Sequence, residues 1–320
     1  MSTPAMGRIL VPLDGSRFGE QALPRALALA SSHGAVVDLV VVAVPPEAGW
    51  PPSVEAETES LEKGSRERAE RGAEGYLQHV LERIREAGLM ADLETTVLPS
   101  GNVAASLVRH AEETGADLTV MTTHGRGPLR RAWLGSTADA LLRRSPGPIL
   151  LIPVEESSDG DVPVVDFSLA PAPFRRVVVP LDGSRSPAPL LPLLTPLLDP
   201  GAETILLRAV PPLLVGGSPY VPHLVHDERT HERFVEGARM YLDGIAEDWP
   251  VGAGVRRKVV TAMQAGMAIL EVVEEEEADL VAMTTSGRSG VSRMLLGSVA
   301  DKVLRGSPVP VLLRRDPGSD

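Results

Sequence analysis

Two aspartates and two glycine-rich loops each recur in this chain in the same order. Asp14 and Asp182 sit in the repeated string Val-Pro-Leu-Asp-Gly-Ser, at residues 11–16 and 179–184. A carboxylate closing an apolar run can accept hydrogen bonds from a ribose hydroxyl or an amine. The same Asp-Gly-Ser also suits an Asx turn or a helix N-cap. The loops occupy residues 122–136 (TTHGRGPLRRAWLGS) and 284–298 (TTSGRSGVSRMLLGS). In each, a glycine (Gly125, Gly287) is followed after nine residues by a Gly-Ser pair, Gly135-Ser136 or Gly297-Ser298. Glycine lets backbone amides approach an anion, and a helix opening at the pair adds its dipole, so the chemistry is phosphate binding. Arginines follow each cradle: Arg126, Arg130 and Arg131, then Arg288 and Arg293. A solvated helix face explains them equally well.

Those loops and aspartates need elements to hold them. Val41-Val-Ala-Val-Pro-Pro46 also returns, as Leu207-Arg-Ala-Val-Pro-Pro212. The aspartates lie 168 residues apart, Val44 and Val210 lie 166 apart, and the late glycines 162. A slowly drifting offset this long indicates duplicated domains. We expect domains at 1–155 and 174–320, joined by a linker at 156–173 rich in Ser, Asp, Gly and Pro. In the first half, strands are expected at Arg8–Leu13, Val36–Val44, Leu89–Leu98, Leu118–Met121 and Ile149–Ile152. Helices are expected at Ser16–Ser32, Glu55–Ala87, Val103–Thr114 and Ser136–Arg144. The second half gives strands near Arg176–Leu181, Thr204–Val210, Val255–Thr261, Leu280–Met283 and Val309–Leu313. Its first helix carries Pro187, Pro189, Pro192 and Pro196. Interior prolines cost roughly 3 kcal/mol each, so this element should be short or irregular. Alternating strands and helices with near-continuous valine runs predict an α/β fold: two Rossmann-like doubly wound domains, each a five-stranded mostly parallel sheet flanked by helices. Ligands of such sheets bind outside the carboxyl ends of the strands, where the order reverses. The repeated residues fall at those ends.

Composition narrows the field. The chain has 320 residues, 43% hydrophobic, with a formal net charge of −12. That charge disfavours nucleic acid and anionic membrane as partners. Aromatics at 3% leave little for base stacking. No cysteine is present, which removes disulfides and thiolate chemistry. No apolar window spans a bilayer and no secretory signal is visible in MSTPAMGRIL, so a cytoplasmic location is expected. His223, His226 and His231 cluster with Asp227, but their spacing fits no zinc pattern, and an exposed loop is the simpler reading. Glu274–Glu277 reads as a solvated run at a helix end. No Ser-His-Asp set, Walker lysine or paired histidines appear, so no catalytic residue is assigned.

The strings VPLDGS, ADLTVMTTHGR, ADLVAMTTSGR, LGSTADALLRRSPGPILLIP and LGSVADKVLRGSPVPVLLRR resemble the universal stress protein family, here as a tandem pair. Its nucleotide-binding members carry G-x2-G-x9-G-[ST]. In this chain the first glycine is replaced by Thr122 and Thr284, whose branched side chains occupy space that glycine leaves open. The resemblance implies ATP as ligand, any Mg2+ riding on the phosphates. In the first half the implied nucleotide residues are Pro12, Asp14, Val44, Met121, Thr122, His124, Gly125, Arg126, Gly135, Ser136 and Thr137. In the second they are Pro180, Asp182, Val210, Met283, Thr284, Ser286, Gly287, Arg288, Gly297, Ser298 and Val299. The aspartate and the end of the second strand are implied to hold adenosine, and the glycine loop and Gly-Ser the phosphates. Ser286 stands opposite His124 in the repeat, so no base is demanded there. The resemblance also implies that the two halves pair as the family's dimer does, with two-chain association and a protein partner left open. The expected function is an ATP-binding regulator in stress response, at most a weak ATPase. The alternative is an interaction scaffold of the same fold without nucleotide.

Overall fold

The computed structural model describes residues 6–44, 55–89, 91–123, 135–145, 147–154, 162–168, 171–183, 187–212, 214–215, 225–226, 228–250, 252, 254–285 and 297–315. It divides into two compact units, Ala5–Ala172 and Pro173–Asp320.

The first unit opens with β1 (Arg8–Leu13), α1 (Arg17–Glu20), α2 (Leu23–His33) and β2 (Val36–Val42). It continues with α3 (Glu55–Glu86), β3 (Asp92–Leu98), α4 (Val103–Thr114), β4 (Leu118–Thr122), α5 (Ser136–Arg144) and β5 (Ile149–Ile152). The strands are parallel in the order β3-β2-β1-β4-β5. The order therefore reverses between β1 and β4. Ile9, Leu10, Val11, Val37, Leu39, Val40 and Val120 are fully buried, as strands covered on both faces require. The helix expected over Ser16–Ser32 is two helices. Pro24 lies in the first turn of α2, where its missing N–H and fixed φ are tolerated, so a new helix starts there. Gly34 ends α2 at φ 65°, its N–H on the Ala30 carbonyl.

The second unit contains β6 (Phe174–Pro180), a 3-10 turn at Ala188–Leu190, α6 (Leu191–Leu194), β7 (Leu198–Val210), β8 (Leu214–Val215) and β9 (Val225–His226). There follow α7 (Glu228–Glu247), β10 (Gly254–Thr261), α8 (Ala265–Glu275), β11 (Leu280–Thr285), α9 (Ser298–Gly306) and β12 (Val311–Arg315). Its order is β10-β7-β6-β11-β12, again parallel. The antiparallel pair β8-β9 stands apart. The proline-laden helix shrinks to the 3-10 turn and the four residues of α6, for the reason given above.

A carboxylate fixes the start of each central strand. Asp117 Oδ2 accepts the amides of Gly7 (2.7 Å) and Arg8 (3.0 Å). Asp279 does the same for Arg175 (2.8 Å) and Arg176 (2.9 Å). The units differ inside. Asp38, 1% exposed, meets His110 Nε2 at 2.7 Å, accepts from Thr96 Oγ1 at 3.0 Å and lies 3.7 Å from Arg8. The buried polar group of β7 is Thr204, whose hydroxyl accepts from Trp249 Nε1 at 3.1 Å. Part of the segment read as a linker is packed. Val162, Val165 and Phe167 are buried. Arg83 lies 5.3 Å over the Phe167 ring, and Gln21 donates to the Pro163 carbonyl at 2.8 Å.

Candidate functional site

Parallel strands place every carboxyl end on one side of the sheet, so Asp14, the end of β2 and the end of β4 share one edge around the β1/β4 reversal. Asp14 is exposed. Its Oδ1 accepts from the Ser16 amide (3.0 Å) and hydroxyl (2.5 Å), across Gly15 at φ 76°. The Asx turn is thus real, and it holds the carboxylate just past the end of β1. Ser16 Oγ in turn caps α1 by accepting from Gly19 N. A Cβ at Gly19 would come 2.9 Å from Asp14 Oδ1, so only glycine lets α1 lie this close. Pro12 and Pro180 stand in β1 and β6, opposite Val40 and Leu207.

The second part of the candidate site begins where β4 stops at Thr122. Met121 and Thr122 are buried. Gly135 N donates to the Thr123 carbonyl at 2.9 Å, and α5 starts at Ser136 with Gly135 as N-cap. A glycine cap brings no side-chain acceptor to the amides of Ser136 and Thr137, unlike Asn102, which caps α4 through Ala105 N. The second unit repeats this at Gly297, Ser298 and Val299. Gly297 has φ −61°, and a Cβ there would meet no atom within 4 Å. The backbone would accept another residue, so glycine at 297 is not a demand of the turn. Met283 is buried and Thr284 half-buried in β11. His124, Gly125, Arg126, Ser286, Gly287 and Arg288 lie outside the described residues.

The two valines named as strand ends part company. Val44 lies beyond the end of β2 and is 56% exposed, whereas Val210 ends β7 and is 5% exposed. The registers explain this. Leu13 faces Val41 and Pro180 faces Leu207, which sets the β7 copy of the repeated string one residue out against its neighbour. A slip of one residue turns side chains to the other face.

Sequence reading missed the residues around the aspartates. Tyr76 donates to Glu20 at 3.1 Å, and Glu20, buried, is held by Arg83 at 2.6 Å. Burial drives the Tyr76 phenol far above its ordinary value, helped by the charges of Glu20 and Asp14. In the second unit Tyr241 takes the matching place. Burial raises its phenol, the Asp182 charge adds to this, and Arg208 opposes it. A signal existed: Gly72-Ala73-x-x-Tyr76-Leu77 recurs as Gly237-Ala238-x-x-Tyr241-Leu242. The Glu274–Glu277 run is not simply solvated. Glu276 accepts from Lys258 (2.6 Å) and Arg256 (2.7 Å), because β10 brings those cations beneath the end of α8. Among the described residues no three His, Asp or Glu side chains could hold a metal ion, and no helix is long and apolar enough to cross a membrane.

The model of the universal stress protein family matches residues 6–153 and again 173–315. A universal stress protein of Mycolicibacterium smegmatis is 28% identical over 309 residues, 96% of each chain. One from Thermus aquaticus is 33% identical over 147 residues, covering 45% of this chain and 96% of its own. The crystal structure of a universal stress protein from Archaeoglobus fulgidus covers 98% of both chains at TM-score 0.60 and 22% identity.

Proposed function

This chain belongs to the universal stress protein family, and from that premise we propose that it binds ATP and serves stress response as a nucleotide-dependent regulator. The observation that carries the reading is the pairing, on one sheet edge, of a carboxylate held at the β1 end with a helix, α5, whose glycine cap brings no side-chain acceptor to its first amides. Asp14 would take the ribose or an amine of adenosine, next to the end of β2. The amides of Ser136 and Thr137 would take the phosphates, aided by the dipole of α5. Bound ATP would bring a polyanion to the positive end of the α5 dipole. The output on this reading is a change of shape or partner, with at most slow ATP hydrolysis. Mg2+, if it accompanies ATP, would be held mainly by the phosphates, and the protein would act in the cytoplasm.

Equilibrium dialysis of the full chain against labelled ATP tests this. Uptake is expected, and Gly135→Glu should remove the nucleotide held by the first unit, since a carboxylate at the cap repels phosphate. Absence of uptake at near-millimolar ATP refutes the reading. One observation favours a scaffold instead: Asp14 already has a partner in Ser16. On that reading, heat-denatured protein purified without added nucleotide releases nothing that absorbs as adenine, and dialysis stays blank.

A further inference from the structure

The first and second units differ at the spot where a nucleoside would lie. Gly183 follows Asp182 at φ 75°. A Cβ there would come 2.7 Å from Cζ, Nη1 and Nη2 of Arg208. The guanidinium therefore lies flat against the Gly183 backbone. It is held there from two further sides. Its Nη1 donates to the Leu181 carbonyl at 3.1 Å, and its Cζ stands 5.9 Å from the Tyr241 ring centroid. Arginine is suited to this, since its plane stacks on backbone and ring while its edge donates. Leu181 and Gly183 bracket Asp182, and Arg208 stands two residues before the end of β7. The side chain thus bridges the aspartate loop and the second strand, the two walls between which adenosine was placed.

The first unit has valine there. Aligned by the repeated string, Arg208 corresponds to Val42; aligned by strand register, it corresponds to Val41. Tyr76, the counterpart of Tyr241, is engaged by Glu20 and no arginine is stacked on it among the contacts described. Both loops keep the same left-handed glycine, at 76° and 75°. The turn is shared and the arginine laid across it is not.

We propose that Arg208 fills the nucleoside crevice of the second unit, so that the chain takes a single ATP, in its first unit. This rests on the nucleotide reading above. The test is the stoichiometry of ATP binding to the full chain, by equilibrium dialysis and calorimetry, for wild type, Arg208→Val and Arg208→Ala. Wild type is expected to take one ATP per chain and the two variants two. Gly135→Glu combined with Arg208→Val should return the count to one, now in the second unit. Two variants guard against a folding defect in either, checked by cooperative melting. Two ATP per wild-type chain would overturn the proposal while leaving the nucleotide reading intact. One ATP in wild type and in both folded variants would also overturn it, since the arginine would then not be the obstacle. No ATP in any of them overturns the nucleotide reading and this proposal together.

Discussion

The corner after β1 and the corner after β6 are built from one tripeptide and have diverged around it. After β1, Asp14-Gly15-Ser16 leads into α1, which Gly19 lets settle on the carboxylate. After β6, Asp182-Gly183 meets an arginine reaching across from β7. The backbone turn survived duplication and the packing around it did not. Repetition therefore marks a shared backbone turn, and the neighbours around it differ. It does not even mark function reliably. Asp117 and Asp279 repeat as faithfully as Asp14 and Asp182, yet they only pin strand ends. Asp139–Arg143 and Asp301–Arg305 repeat as helix-surface pairs at 2.8 Å.

The contrast between units can be broken or sharpened by substitution. The largest effect should come from the buried polar groups of β2 and β7. His110→Ala takes one hydrogen-bond partner from the buried Asp38 carboxylate, which keeps Thr96 and Arg8, and should cost about 1.5–3 kcal/mol. Trp249→Phe removes one neutral hydrogen bond from Thr204 and should cost about 1 kcal/mol. Urea unfolding measures both, and equal losses would erase the distinction. Next come the aspartates of the two loops. Asp14→Ala should weaken ATP binding roughly 10- to 100-fold, the worth of a charged hydrogen bond. Asp182→Ala should leave the affinity of the first unit unchanged; calorimetry that finds equal effects would contradict the asymmetry. The smallest concerns Glu276. Hydrogen bonds from Lys258 and then Arg256 hold its carboxyl below the ordinary 4.5. A lowered folded value means stability that is present above pH 4.5 and lost as pH falls through the folded value. Glu276→Gln should remove that acid-side loss, by less than about 1 kcal/mol. An acid titration unchanged by the substitution would dismiss the network as a contributor.

Much of the fold was legible because its signals are local. Arg8–Leu13, Val103–Thr114, Ser136–Arg144 and Ile149–Ile152 emerge with the bounds that hydrophobic pattern and caps dictate. What failed was whatever depends on distant neighbours. β7 begins at Leu198, six residues before the expected Thr204, because Pro200-Gly201 looks like a turn until β6 is beside it. Residues 162–167 look like linker because Ser, Asp, Gly and Pro surround a short apolar run with no helical period, and only Arg83 and Gln21 reveal that it is covered. Of the candidate site, the aspartates and the glycine caps Gly135 and Gly297 stand out in the sequence because they repeat. Arg208 does not, because a lone arginine in a strand reveals its role only when Gly183 and Tyr241 are seen around it.

The clamp on β1 has a consequence for synthesis. The amides of Gly7 and Arg8 find their acceptor 110 and 109 positions downstream, at Asp117, and one of the strands flanking β1 is β4. As the ribosome delivers this half, its earliest strand must wait, half-paired, until that aspartate emerges. Closure of the sheet is then a late, long-range event of the kind that slows folding and invites assistance from chaperones. Stalling translation before codon 117 should leave a nascent chain that proteases still cut near its beginning.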